Sequence, residues 1–232
     1  LSNLDEYFES DEYKAKVVRE KAEDAASRAR AADDLESDKI SKAKKFGIPE
    51  RAATVALSSH VEDTEANRAA DGATDMLVLS GAPGCGKTVA SALWATAEIR
   101  DSSMWFYAEN RGGMQGSNGN AFKGRPIVWV TAAKLARWER YDEEEMAKLL
   151  KVGKLVIDDL GGEYLDKGGF YASLLDELIN ERQAGSRATI LTTNLDAAGF
   201  SARYGERIVD RIREGGRFFA CGNASLRRKP TT

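Results

Sequence analysis

Histidine is nearly missing from this chain: its 232 residues include one, His60. A histidine-rich metal site is excluded, and His60 is expected on the surface or half-buried rather than in a catalytic role. The two cysteines, Cys85 and Cys221, are too few for a four-ligand zinc cluster. They also make no disulfide framework, so a reducing compartment, the cytoplasm, is expected. No apolar run approaches the roughly eighteen residues of a membrane span, and the acidic, polar first residues do not read as a signal peptide. An overall cationic excess is lacking too: 34 Lys and Arg against 37 Asp and Glu leave a net charge of −3. The whole molecule is therefore no general nucleic-acid binder. What is present is a 42% hydrophobic chain, enough for a real core in one large domain, or one domain with a smaller helical piece.

The charge is uneven. Cations exceed anions only near the end, where Arg203, Arg207, Arg211, Arg213, Arg217, Arg227, Arg228 and Lys229 outnumber Glu206, Asp210 and Glu214. Such a patch can meet phosphate on an acidic protein, or it can be an ordinary solvated surface. Both readings stand at this point.

Two regions differ in texture. Residues 1–70 read as a helical, partner-binding region. From Asp11 to Phe46 there is no Gly or Pro, and Ala, Lys, Glu and Arg dominate, which favours helix. Its apolar face (Val17, Val18, Ala22, Ala25, Ala26, Ala29) is made of small residues and suits a partner helix better than a core. Gly47 and Pro49 break the pattern. A second helix comes next, interrupted near Ser58 and Ser59. Residues 71–232 alternate short apolar runs with helical patterns. Strands are expected at 76–80, 104–107, 126–130, 154–160, 188–194 and 217–222. Helices are expected at 87–100, 132–140, 142–151, 169–184 and 203–213. The stretch 109–124, rich in Gly and Asn, reads as a loop. This alternation predicts an α/β fold with a mostly parallel sheet flanked by helices. Its functional loops belong at the carboxyl ends of the strands.

The strongest motif is Gly81-Ala82-Pro83-Gly84-Cys85-Gly86-Lys87-Thr88, a full G-x-x-x-x-G-K-[ST] loop between an apolar strand and a helix. Glycines let backbone N–H groups converge on phosphate oxygens, and the helix N-terminus adds its dipole. Lys87 is expected on the β- and γ-phosphates of ATP and Thr88 on Mg²⁺. Cys85 reads as filler within the loop, and Val89 continues the nucleotide-binding segment. A second motif is Val156-Ile157-Asp158-Asp159. Asp158 is expected to hold Mg²⁺ and Asp159 to orient the attacking water as general base, or else to cap the next turn. A third strand turns polar at Thr192-Thr193-Asn194, where Asn194, with Thr193 next, can bond the water or the γ-phosphate. Finally, Arg207 and Arg211 form an i,i+4 pair on a face distinct from Ile208 and Ile212. They are either arginine fingers for a neighbouring subunit or surface partners of Glu206 and Asp210.

Together GAPGCGKT, KLVIDDLG, ATILTTNL and YGERIVDRI resemble the AAA+ P-loop ATPases of the bacterial replicative-helicase-loader group. The ATPase subunits of certain insertion-sequence transposases look similar. The resemblance covers roughly residues 75–230. It implies an ATPase using ATP and Mg²⁺, with Asn194 as the sensor asparagine and Arg211, or neighbouring Arg207, as the trans-acting finger. It also implies a homo-oligomer that holds DNA and works on a replicative DNA helicase or, in the alternative, recruits a transposase. Two departures stand out. No cysteine precedes Cys85, so the zinc cluster of some loaders is not expected. The residues after Arg211 read as a strand and a basic tail, so no C-terminal helical lid is expected. A metabolic kinase sharing the phosphate loop is disfavoured, since no acceptor pocket or cis-arginine lid is seen.

Overall fold

The computed structural model describes residues 11–58, 61–100, 114–115, 121–122, 127–137, 143–166, 169–222 and 224–226. His60, the expected strand at 104–107, most of the loop 109–124 and the tail cations Arg227, Arg228 and Lys229 lie outside the described residues.

Helices α1 (Asp11–Lys45), α2 (Glu50–Leu57) and α3 (Glu65–Ala70) precede strand β1 (Met76–Ser80). Then come α4 (Lys87–Arg100), the short strands β2 (Met114–Gln115) and β3 (Ala121–Phe122), β4 (Ile127–Thr131), α5 (Ala132–Leu135), α6 (Glu143–Lys151) and β5 (Lys154–Leu160). The chain ends with α7 (Phe170–Ala184), β6 (Thr189–Thr193), α8 (Ala197–Tyr204), α9 (Glu206–Gly215) and β7 (Gly216–Ala220). Five strands form one sheet in the order β4-β5-β6-β1-β7, every neighbouring pair parallel. Within the stretch expected to be a loop, β2 and β3 pair antiparallel, Met114 opposite Phe122.

The pleat sorts the core into two layers, because alternate strand residues face opposite sides. Leu77, Leu79, Ile127, Trp129, Val156 and Ile190 pack with Ala90 and Trp94 of α4 and with α2 and α3. Met76, Val78, Val130, Leu155, Ile157 and Leu191 pack with α5 through α9. The sheet is thus buried on both faces, as its near-continuous apolar strands require. After β1 the chain crosses over one face to the far edge. After β4, β5 and β6 it returns over the other. This divergence opens a crevice at the carboxyl ends of β1 and β6.

The amino-terminal helices divide at Ala43. Val18 and Leu35 of α1 are exposed, whereas Ala43, Phe46, Ile48, Ala52, Ala53, Ala56, Ala66, Ala69 and Ala70 are buried. The turn at Gly47 (φ +89°) lies against the sheet edge, where Trp129 N–H donates to the Phe46 carbonyl at 3.0 Å. A Cβ on Gly47 would stand 2.5 Å from the Trp129 carbonyl oxygen, so only glycine allows this approach.

The helix expected at 203–213 is two helices. Asp196 caps the first by accepting the Gly199 N–H at 2.7 Å, and Gly205 at φ +97° turns the chain into the second. Aspartate at an N-cap and a left-handed glycine between helices are ordinary terminal signals. Here the apolar spacing across 200–212 masks them.

Candidate functional site

The site grows from the end of β1. Gly81 (φ +150°), Gly84 (φ +91°) and Gly86 (φ +96°) curl the chain into α4. At Gly81 a Cβ would meet the Cys221 carbonyl at 2.9 Å and the Cys85 sulfur at 3.2 Å. Lys87, the first residue of α4, is folded back over this loop and only 8% exposed. Its ammonium donates to the carbonyls of Gly81 at 2.7 Å and Ala82 at 3.0 Å, to Cys85 Sγ at 3.6 Å and to Asn194 Oδ1 at 3.1 Å. Among the described residues it has no carboxylate partner. A nearly buried cation held only by neutral acceptors is an electrostatic demand for an anion. A phosphate oxygen meets that demand.

Across the crevice, β5 presents Asp158, 6% exposed. Its Oδ1 accepts the Thr88 hydroxyl at 3.2 Å and the Thr192 hydroxyl at 2.6 Å. Burial raises the Asp158 pKa, and the Asp159 charge adds to this. The two hydroxyls and the Lys87 charge act the other way. Thr88 and Asp158 therefore share one position between α4 and β5, which suits a hard cation such as Mg²⁺ that keeps waters and phosphate oxygens in its remaining places. Among the described residues no group of three or more His, Cys, Asp or Glu side chains forms a metal cage. A cation here would have two protein oxygens, those of Thr88 and Asp158, to hold it.

Asp159 is exposed at the same strand end, with φ +64°. A left-handed aspartate costs about 1–3 kcal/mol and persists only where its surroundings impose it. The cause here is local. The β5–β6 register shifts between Ile157 and Leu160, and the Asp159 N–H is held by Thr192 Oγ1 at 2.8 Å. The result turns the Asp159 side chain out of the sheet while Asp158 stays in it.

Three strand ends thus converge: β1 with its loop, β5 with Asp158 and Asp159, and β6 with Asn194. Thr193, the second candidate on β6, is engaged elsewhere, its hydroxyl donating to the Leu160 carbonyl at 2.7 Å. The residue that sequence reasoning passed over is Thr192, which donates to Asp158 and accepts from Asp159. Its signal was the alternation along β6, which sets Thr192 and Asn194 in one phase. The phosphate loop also touches the chain's far end, where Leu226 N–H donates to the Gly84 carbonyl at 2.9 Å. Cys221, buried near Cys85, is a free thiol. Burial, then its neighbour Cys85, pushes it up to about 12.

Arg207 and Arg211 stand apart on α9, which packs on α7, α8 and β7. Arg207 is largely exposed and pairs with Asp176 of α7 at 3.4 Å, not with Glu206 or Asp210. The Arg211 Nε is buried without a hydrogen-bond partner. The basic patch is less uniform than its sequence suggests. Arg203 is bound to buried Glu163, Arg213 pairs with Asp210 at 3.8 Å, and Arg217 donates to the Ala69 carbonyl.

No protein-family model matches the chain. It is similar to the replicative helicase loader DnaC of Buchnera aphidicola subsp. Acyrthosiphon pisum (strain APS), 28% identical over 74 residues, 32% of this chain and 29% of that protein. The DnaC of Buchnera aphidicola subsp. Baizongia pistaciae (strain Bp) is 27% identical over 88 residues, 38% of this chain and 35% of that protein. Over these segments the chain is similar to replicative helicase loaders. Each match spans only about a third of its curated relative's length. The fold likeness is broader. The crystal structure of the DnaC helicase loader superposes with a TM-score of 0.53 at 22% identity, covering 75% of this chain and 100% of that one. The expected parallel sheet flanked by helices, with a small helical amino-terminal region, is the observed fold. Among the described residues, no helix is long and apolar enough to cross a membrane.

The burial at Asp158 has a measurable consequence. A carboxylate whose pKa is raised on folding binds its proton more readily in the folded state. Stability is then highest below the ordinary carboxylate range and falls as pH rises through the window up to the folded value. At neutral pH the ionised Asp158 is a net cost in the protein alone. Asp158→Asn is expected to raise the unfolding free energy by up to about 1 kcal/mol, read as a higher urea midpoint, because the amide oxygen can still accept from Thr88 and Thr192. The same variant should lose Mg²⁺-dependent turnover. A lowered midpoint in metal-free buffer would contradict the burial argument.

Proposed function

We propose that the chain is an ATP-dependent assembly factor that loads or remodels a replicative DNA helicase on DNA. One observation carries the nucleotide half of this reading. Lys87, Thr88, Asp158 and Asn194 gather at the carboxyl ends of three parallel strands, and among the described residues the buried Lys87 ammonium is hydrogen-bonded to neutral acceptors alone. The likeness to replicative helicase loaders carries the partner half and favours a helicase over a transposase.

In this reading the segment from Gly81 through Val89 wraps the phosphates of ATP and Lys87 binds the β- and γ-phosphates. Thr88 and Asp158 hold Mg²⁺, which supplies charge neutralisation to the phosphate oxygens. Asp159 accepts hydrogen bonding from the attacking water and orients it, and Asn194 fixes the γ-phosphate. Water adds to the γ-phosphorus as the bond to the β-phosphate oxygen breaks, leaving ADP and inorganic phosphate. Arg211 of one subunit completes the site of its neighbour, so turnover depends on self-assembly. The exposed part of α1, within the region 1–70, docks the helicase, and the basic carboxyl-terminal end meets DNA phosphates. The cytoplasm is the compartment of such a system.

The test is a pull-down of purified chain with a replicative helicase and DNA, with and without a non-hydrolysable ATP analogue. Capture of the helicase that depends on the analogue is expected. Asp159→Asn should keep that capture and lower ATP turnover by about 10²-fold or more, as expected when water is no longer oriented. No capture of the helicase, or equal capture without nucleotide, would count against the loader reading.

A further inference from the structure

Glu163 lies on the loop leaving β5, four residues beyond Asp159, and its side chain is 0% exposed. A buried carboxylate needs partners for both oxygens, and Glu163 draws them from two elements. Its Oε2 accepts the Gly161 N–H at 2.8 Å. Its Oε1 accepts the Tyr204 hydroxyl and Arg203 Nε and Nη2, both at 3.4 Å. Arg203 also donates to the Glu163 backbone carbonyl. Every partner is a donor, so both carboxylate oxygens are satisfied as acceptors.

The two elements it joins are the two halves of the proposed site. Gly161, at φ +110°, is two residues from Asp159, and a Cβ there would lie 3.1 Å from Leu195, the residue after Asn194. Tyr204 ends α8, buried against Phe200 at 4.6 Å between ring centres. One residue later, at Gly205, the chain turns directly into α9 with Arg207 and Arg211. A single carboxylate therefore clamps the turn behind Asp159 to the root of the arginine helix.

We propose that Glu163 is a positioning residue that ties the aspartate end of β5 to α9, so that the water-orienting side of one nucleotide site and the arginine offered to the next move as one unit. The inference rests on the ATPase reading above. It differs from a stabilising role in what it moves. A merely structural clamp changes the unfolding midpoint and leaves kcat per folded subunit alone. A positioning clamp lowers kcat with KM for ATP unchanged, since neither Glu163 nor Tyr204 touches the phosphate loop.

Two variants separate these. Glu163→Gln keeps the volume but turns an amide NH2 toward groups that are all donors. Tyr204→Phe removes one hydroxyl and leaves the Gly161 bond intact. Steady-state ATPase assays of the full chain, above its self-association concentration and normalised to folded protein, should show kcat down by about tenfold or more for Glu163→Gln and roughly threefold for Tyr204→Phe, with KM within about twofold. Should Glu163→Gln fail to fold, Tyr204→Phe decides alone. Wild-type kcat in the folded variants, beside an active wild type, overturns the positioning role and leaves the ATPase reading standing. A wild type without Mg²⁺-dependent ATPase removes both.

Discussion

Arg211→Ala is expected to leave ATP binding by the isolated subunit intact and to cut assembly-dependent turnover by about 10³-fold or more, the range of a trans-acting arginine finger. The packing of α9 singles this residue out. Ile208, Val209 and Ile212 are buried and hold the helix to the domain. Arg207 is committed to Asp176, whereas Arg211 has a buried Nε without a partner. That atom has lost water without gaining an acceptor, while the side chain as a whole is only half-buried, and the proposal gives its terminal nitrogens to an anionic group of a second subunit. Arg207→Ala is the control. Its largely exposed ion pair is of the kind that contributes little, so turnover should change by less than about threefold. The measurement is turnover per subunit below and above the self-association concentration. If Arg211→Ala keeps its rise in turnover on assembly, the finger belongs to another residue.

The second large effect is at Lys87. Lys87→Ala should weaken ATP binding by about 10²-fold or more and remove detectable hydrolysis, a loss comparable to deleting a preorganised donor from a reacting oxyanion. The fold should survive it. The ammonium sits 8% exposed among neutral acceptors, so its removal relieves a buried charge as well as deleting its contacts to oxygen, and the net change in nucleotide-free stability should stay within about 1 kcal/mol. Thermal unfolding makes the distinction. Wild type with Mg²⁺ and ATP at about a hundred times its Kd should gain about 2.7 kcal/mol, whereas Lys87→Ala should gain almost nothing at the same concentration. A variant stabilised by ATP to the wild-type extent would mean that the phosphates do not meet this lysine.

Much of this arrangement is legible in the chain alone. The phosphate loop is a local device: its glycines, its lysine and the strand and helix around it are close neighbours along the chain, within the reach over which sequence pattern speaks. The aspartates at the end of β5 and the polar end of β6 are legible for a similar reason. An apolar run that stops abruptly in polar residues marks where a parallel strand leaves the core. The break at Gly205 is hidden, because Phe200, Tyr204, Ile208 and Ile212 keep an unbroken helical spacing across it. The short strands β2 and β3 are hidden too, in a stretch whose composition reads as loop.

What the amino-acid order settled alone was the class of fold, and it also named the residues proposed here to face a phosphate. Both rest on short-range chemistry: alternation of strand and helix, backbone freedom at glycine, and charge at a strand end. Only the folded chain decided how those residues are shared. It gave Thr192 to both aspartates, assigned Arg207 to Asp176 and left the Arg211 Nε without a partner. It also sank Glu163 beneath Arg203 and Tyr204, about forty residues away along the chain. These pairings depend on which elements the sheet order β4-β5-β6-β1-β7 places side by side. Partners brought together by crossovers leave no periodic trace in sequence, because burial and hydrogen-bond satisfaction act through space.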